Sequence, residues 1–203
     1  KPEDVEALTQ LCIDTTQGNP FFANQFLLEL YEQNHIFYDF DLGQWQWNIK
    51  NIKKLKVNNN IVDLMVKKLN QFSKESLFTI QHAANLGNQF SLKDLQTVSG
   101  QSLLQTYENL WPMIESGLIL PLNESYRFGT DERLLIKAEF CFLHDRVQQA
   151  AYQFIDIETR PLFKLDVGLK LYRSLSDPQL ELKLFDVVEQ LNAGTNVASE
   201  ADK

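Results

Sequence analysis

Chemically reactive side chains are scarce in this sequence. Its 203 residues include two cysteines, Cys12 and Cys141, and three histidines, His35, His82 and His144. Two cysteines far apart make neither a disulfide framework nor a paired metal ligand, and both sit among apolar residues, so they read as small core side chains in a reducing compartment. There is no GxxxxGK[ST] phosphate loop, no strand ending in an acidic metal-binding residue, no GxSxG, and no HExxH or CxxC pair. No metal site is predicted, and these absences point away from catalysis by this chain alone. Long apolar runs are missing too, which argues against a bilayer span. The N-terminus, KPEDVEALTQ, has neither an initiator Met nor a signal-like core, so the chain is read as an internal piece of a longer, cytoplasmic protein.

Basic charge is short. Lys and Arg number 19 against 27 Asp and Glu, a formal charge of −8, and nucleic acid or an anionic membrane surface needs clustered cations to displace counterions. The one basic cluster, Lys50, Lys53, Lys54 and Lys56, lies in Asn-rich sequence and reads as a solvated helix face and linker.

What is present is mostly helical periodicity. Val5, Leu8, Leu11, Cys12 and Thr15 fall at helical spacing within 4–16, and Phe22, Phe26, Leu27 and Leu30 mark a second helix. Between them, in QGNPFF, Gly18 can take the left-handed conformation that ends one helix. Asn19 can cap the next, and Pro20 suits its first position, where its missing N–H costs nothing. Ile36, Tyr38 and Phe40 alternate with Phe37, Asp39 and Asp41, and after an LG break Trp45, Trp47 and Ile49 alternate with Gln44, Gln46 and Asn48, predicting a hairpin whose Trp-bearing face needs cover. The Lys- and Asn-rich stretch 51–60 predicts a domain boundary.

Helices are then predicted over about 60–70, 73–87, 91–99 and 102–116, capped by Ser73, Ser91 and Ser102. Gly117 ends the last; LILPL and KAEFCFL read as strands about the turn-rich NESYRFGTDER. Helix, helix, helix, strand, loop, strand is the order of a winged helix. Its recognition-helix segment, QSLLQTYENLWPMIESG, has no Lys or Arg and two Glu, so it cannot neutralise phosphates. Further helices over about 158–175 and 179–193 precede GTNVASEADK, which has the composition of a frayed end. The fold class is therefore mainly α: a helical domain with a β-hairpin (1–55), a winged-helix domain (56–157), and the start of a C-terminal helical domain (158–203).

Two junctions invite chemistry. In FLHDRVQQ, Asp145 is expected as N-cap with Gln148 completing a variant capping box, its own side chain turned away from any ligand shared with His144 at the strand end. One reading of His144 is a strand-end residue bonded to a backbone carbonyl; the other is a donor to an anion, aided by the helix N-terminus. At TTQGNPFF the plain reading is a good helix–helix turn, and the functional one a rigid Pro20 edge packed on a flat ring.

The phrases GNPFF, GQWQW, LWPMIESGLILP and FLHDRVQQAAY together span about residues 14–155. In that order they resemble the second half of the nucleotide-binding module of STAND-type ATPases, a signalling branch of the AAA+ superfamily. The likeness is nearest to the predicted-ATPase segment of very large bacterial sensor proteins, between a serine/threonine-kinase-like region and GAF and histidine-kinase regions. The resemblance implies that residues 1–55 are a lid whose Gly18 and Pro20 hold adenine, and that His144, in Leu143-His144-Asp145, contacts the β-phosphate of ADP and latches a closed form. Asn19, Asp145 and Gln148 would support that site. It further implies that the P-loop, Walker B strand and sensor residues lie upstream of Lys1. ATP or ADP, with Mg, would then bind only together with that upstream domain, and the fragment is no enzyme itself, although its parent would be an ATPase-coupled protein or histidine kinase. The implied partners are the upstream P-loop domain and a downstream helical domain of the same chain, with oligomerisation on activation open and neither nucleic acid nor membrane among them. The alternative is a non-catalytic protein–protein module with no nucleotide role.

Overall fold

A computed structural model describes residues 2–54 and 61–201. They form two compact units, Lys1–Met65 and Val66–Lys203. The division falls inside the helix Ile61–Leu69, whereas the boundary read from sequence, at 55/56, lies outside the described residues.

In the first unit, α1 (Pro2–Thr16) and α2 (Pro20–Glu32) precede a hairpin of β1 (Ile36–Asp39) and β2 (Gln44–Trp47) and a short α3 (Ile49–Lys54). The hairpin is antiparallel, with Ile36 opposite Trp47 and Tyr38 opposite Trp45. Its turn is built by Asp39, whose Oδ1 accepts the N–H groups of Asp41 at 3.0 Å and Leu42 at 2.9 Å. Phe22, Phe26 and Leu30, at four-residue spacing, are the buried face of α2. Phe26 and Leu30 join Ile36 and Ile52 in a core flanked by Leu8, Leu11, Cys12 and Trp47. The Trp-bearing face is thus covered at the Ile36/Trp47 end. At its other end Trp45 remains 51% exposed.

The second unit follows α4 (Ile61–Leu69) with α5 (Lys74–Leu86), β3 (Gln89–Ser91), α6 (Leu92–Ser99), α7 (Leu103–Glu115), β4 (Ile119–Pro121), a 3-10 turn (Glu124–Phe128), α8 (Glu132–Leu135) and β5 (Glu139–Phe142). The three strands form one antiparallel sheet in the order β3-β5-β4. Helix, strand, helix, helix, strand, strand in this pairing is winged-helix topology. Strand β3 escapes the sequence pattern because it is three residues long and its last, Ser91, also caps α6 by accepting the Asp94 N–H at 3.0 Å. Ser73 and Ser102 cap α5 and α7 as predicted, and Ser102 with Gln105 forms a full capping box. The stretch predicted as turn holds two short helical pieces, started by Asn123 and Asp131.

Beyond the sheet come α9 (Asp145–Gln153), α10 (Arg160–Ser174) and α11 (Asp177–Ala201). The last two, expected to begin a separate domain, belong to the same unit as the winged helix. Polar side chains reaching backbone carbonyls fasten them: Lys170 Nζ to Val98 O at 2.9 Å and Gln190 Nε2 to Asn85 O at 2.8 Å. Lys183 adds an ion pair with Asp94. Helical periodicity carries no trace of such long-range bonds. The tail, read as frayed, continues α11 to Ala201, since adding a residue to an existing helix is far easier than starting one.

Gly194 brings α11 close to α10, where a Cβ would lie 2.5 Å from Leu165 Cβ and 3.0 Å from Pro161 O. Alanine in a helix gains about 1 kcal/mol over glycine, but neither neighbour can swing aside, and overpacking of this kind costs about 1–3 kcal/mol. Gly194→Ala is therefore expected to lower stability in urea denaturation; a more stable variant would show that the two helices do not pack here.

Candidate functional site

The GNP turn is positioned by the backbone on both sides. After Thr16, Gln17 (φ 53°) and Gly18 (φ 76°) both adopt the left-handed conformation, which only glycine takes without penalty. Asn19 donates its N–H to Thr16 O at 3.0 Å, and its Oδ1 accepts the N–H groups of Phe21 at 2.9 Å and Phe22 at 3.4 Å. Pro20 takes the first helical position, as read from sequence, while Phe22 is buried behind it. The Pro20 ring is exposed. It is a fixed apolar edge with no N–H donor, able to pack on a flat ring or on any other apolar surface.

At the second junction the chain leaves β5 extended. Leu143 donates its N–H to Leu118 O at 3.0 Å, and His144 keeps extended backbone at φ −154° and ψ 149°. That conformation makes His144, not Asp145, the N-cap of α9: its Nδ1 accepts the Arg146 N–H at 3.2 Å. Asp145 is already the first helical residue, which corrects its expected role as cap. Gln148 does not close a capping box either. Its Nε2 donates to Ala84 O at 2.9 Å, because the last carbonyls of the buried helix α5 need donors that its own turns cannot supply.

Asp145 also engages the histidine directly. Its Oδ1 pairs with His144 Nδ1. One nitrogen thus faces both an amide donor and a carboxylate acceptor, and it can serve only one of them at a time. An anion arriving at Nδ1 must displace the Asp145 carboxylate. With a third of its side chain exposed, His144 can be reached by a ligand.

The remaining histidines are otherwise engaged or placed. His82 is 3% exposed, its Nδ1 2.8 Å from Phe78 O and its ring tilted between Phe78 and Phe163 at 4.4 and 4.6 Å. Burial pushes its pKa down, the Phe78 carbonyl opposes this, and Lys170 and Asp166 act weakly in opposite senses. Burial likewise raises the thiols of Cys12 and Cys141. Among the described residues no three His, Cys, Asp or Glu side chains group as metal ligands, and no helix is long and apolar enough to cross a membrane. In the loop beyond β4, Arg127 pairs with Glu124 at 2.7 Å.

Aromatic residues of the hairpin form a second candidate surface. Tyr31 meets Trp45 at 5.9 Å, Trp45 meets Tyr38 at 5.5 Å, and Tyr38 meets Phe40 at 5.2 Å, all edge to face. Phe40 is 87% exposed. The Trp alternation announces this row, but Tyr31 joins it from α2 and could not be read from strand periodicity.

The chain is similar to a signalling kinase. It is 23% identical, over 241 aligned positions, to "Hybrid signal transduction histidine kinase G" of Dictyostelium discoideum. The match covers all of this chain and 7% of that protein, so the chain spans a small part of the relative's length. No protein-family model matches the chain, and no solved structure matches it.

Two outcomes follow from these geometries. Replacing the His144 cap with Ala is expected to cost about 1 kcal/mol in urea unfolding, whereas His144→Asn, which keeps a capping acceptor, loses less; equal losses would remove the cap. For His82, the unfolded chain takes up a proton near its ordinary value of 6.5 while the native state resists it. Native stability therefore falls as pH drops below about 6.5 and levels off only below the native pKa. His82→Phe is expected to flatten that slope in pH-dependent thermal melts, and an unchanged slope would assign it to other groups.

Proposed function

We propose that this chain is the lid and winged-helix part of a STAND-type signalling ATPase, the moving half of an ATP/ADP switch coupled to an attached kinase. The observation that carries the reading is His144 at the head of α9, partly exposed, in the Leu143-His144-Asp145 context. In the proposed ADP-bound form its imidazole contacts the β-phosphate in place of Asp145. Gly18 and Pro20 hold the adenine, the Pro20 ring lying flat against it, with Asn19 fixing the turn. A P-loop domain elsewhere in the parent protein supplies the phosphate cradle and Mg. Gln148, bonded to Ala84 O, would carry a shift of α9 into α5. The likeness to a histidine kinase named for signal transduction supports the kinase coupling. On this reading the chain is not itself an enzyme, and it switches only if ADP and ATP favour different arrangements by different affinities.

One observation favours a second reading. The exposed row Tyr31, Trp45, Tyr38 and Phe40 suits a non-catalytic protein–protein module with no nucleotide role.

Calorimetry of ADP binding to the parent module, P-loop domain joined to this chain, separates the two. His144→Ala is expected to weaken ADP by roughly tenfold or more, the worth of a hydrogen bond to a charged group, while Trp45→Ala leaves the affinity unchanged. Equal affinity for the native and His144→Ala proteins removes the latch. A parent gene without a P-loop leaves only the interaction module.

A further inference from the structure

A cleft of about 520 Å³ lies between the end of α5 and the helices α9, α10 and α11, within the size range of small-molecule sites. Asn85 and Gln190 line it, 5% and 8% exposed. Neither Nδ2 nor Oδ1 of Asn85 has a hydrogen-bond partner, and Gln190 Oε1 has none. Gln190 Nε2 is used, on Asn85 O. Buried polar groups are paired in the great majority of cases, and three unpaired atoms on two residues joined by a hydrogen bond form a pattern. It offers one amide donor group and two carbonyl acceptors, the complement of another amide.

Charges of both signs surround the pattern. Arg146 and Lys164 line the cleft, as do Asp145, Asp186 and Glu189. A phosphate or other simple anion would meet those three carboxylates and leave both amide oxygens unpaired. An aliphatic ligand would satisfy none of the polar atoms. We infer that this cleft binds a small zwitterion bearing an amide, the class of short peptides and amino-acid amides. The ligand's amide pairs with Asn85 and with Gln190 Oε1, its carboxylate meets Arg146 and Lys164, and its ammonium meets Asp186 and Glu189. The unpaired atoms lie below the surface, so on this inference binding requires Gln190 to exchange its bond to Asn85 O for one to the ligand. The site lies wholly within Val66–Lys203 and shares Asp145 and Gln148 with the proposed latch, but its test needs no nucleotide, so probe binding here and ADP binding there can fail separately.

The test is calorimetry on the 203-residue chain with glycylglycine as probe, and with L-alanine (no amide) and acetamide (no charges) as comparisons. Glycylglycine is expected to bind more tightly than either. Lys164→Ala, which also removes a cation over the Tyr152 ring at 5.6 Å, should weaken it roughly tenfold, the worth of one charge-assisted contact. Asn85→Leu should abolish binding while the chain stays folded by circular dichroism; if that variant does not fold, the Lys164→Ala result decides. Absence of glycylglycine binding at millimolar concentration, equal binding of L-alanine, or unaltered affinity in Lys164→Ala would overturn the assignment. So would a more stable Asn85→Leu protein whose parent binds no probe, since the amide pair would then be only a packing defect or the seat of a trapped water.

Discussion

Helix α5 is buried on most of its circumference, with Ser76, Thr79, Ile80, His82, Ala83, Ala84 and Asn85 all hidden. A helix in that position cannot leave its last carbonyls to water, and each one stranded costs about 1–3 kcal/mol. Two glutamines from distant parts of the chain resolve this: Gln148 of α9 binds Ala84 O and Gln190 of α11 binds Asn85 O. The hydrophobic contacts bring these helices together, but the two amide bonds set where along α5 they stop. The winged helix and the two helices after it are consequently one unit.

That constraint reaches the proposed nucleotide contact. Because Gln148 is committed to α5, it cannot fold back to complete a capping box, and the head of α9 is capped by His144 from its extended backbone. The cap nitrogen is then contested between the Arg146 amide and the Asp145 carboxylate. Such a contest makes the imidazole responsive. A competing anion at this one atom would change both the cap and the carboxylate contact, and α9 is bonded directly to the central helix. The GNP turn is the opposite kind of element, held by Asn19 and the proline ring in a single conformation. In the proposed switch the rigid edge takes the adenine and the contested cap takes the phosphate.

Local chemistry was legible in the sequence. Gly18, Asn19 and Pro20 form the predicted turn because each acts on its own backbone, and Ser73, Ser91 and Ser102 cap their helices for the same reason. The hairpin followed from alternation. What could not be read depends on partners far along the chain: Gln148 leaving its expected cap for Ala84, Gln190 reaching Asn85, and Lys183 reaching Asp94. The exchange of cap from Asp145 to His144 hangs on whether the strand's extended conformation runs one residue further, a distinction that composition does not encode. Strand β3 was hidden for another reason, since three residues give no period and one of them is also a cap.

The most direct measurement is amide hydrogen exchange on the parent nucleotide module with and without ADP. The amides of Phe21 and Phe22 in the GNP turn and of Arg146 and Val147 at the head of α9 report the two proposed contacts separately. ADP is expected to slow exchange at both places at once. Tight ADP binding that leaves both sets of amides unchanged would contradict the account.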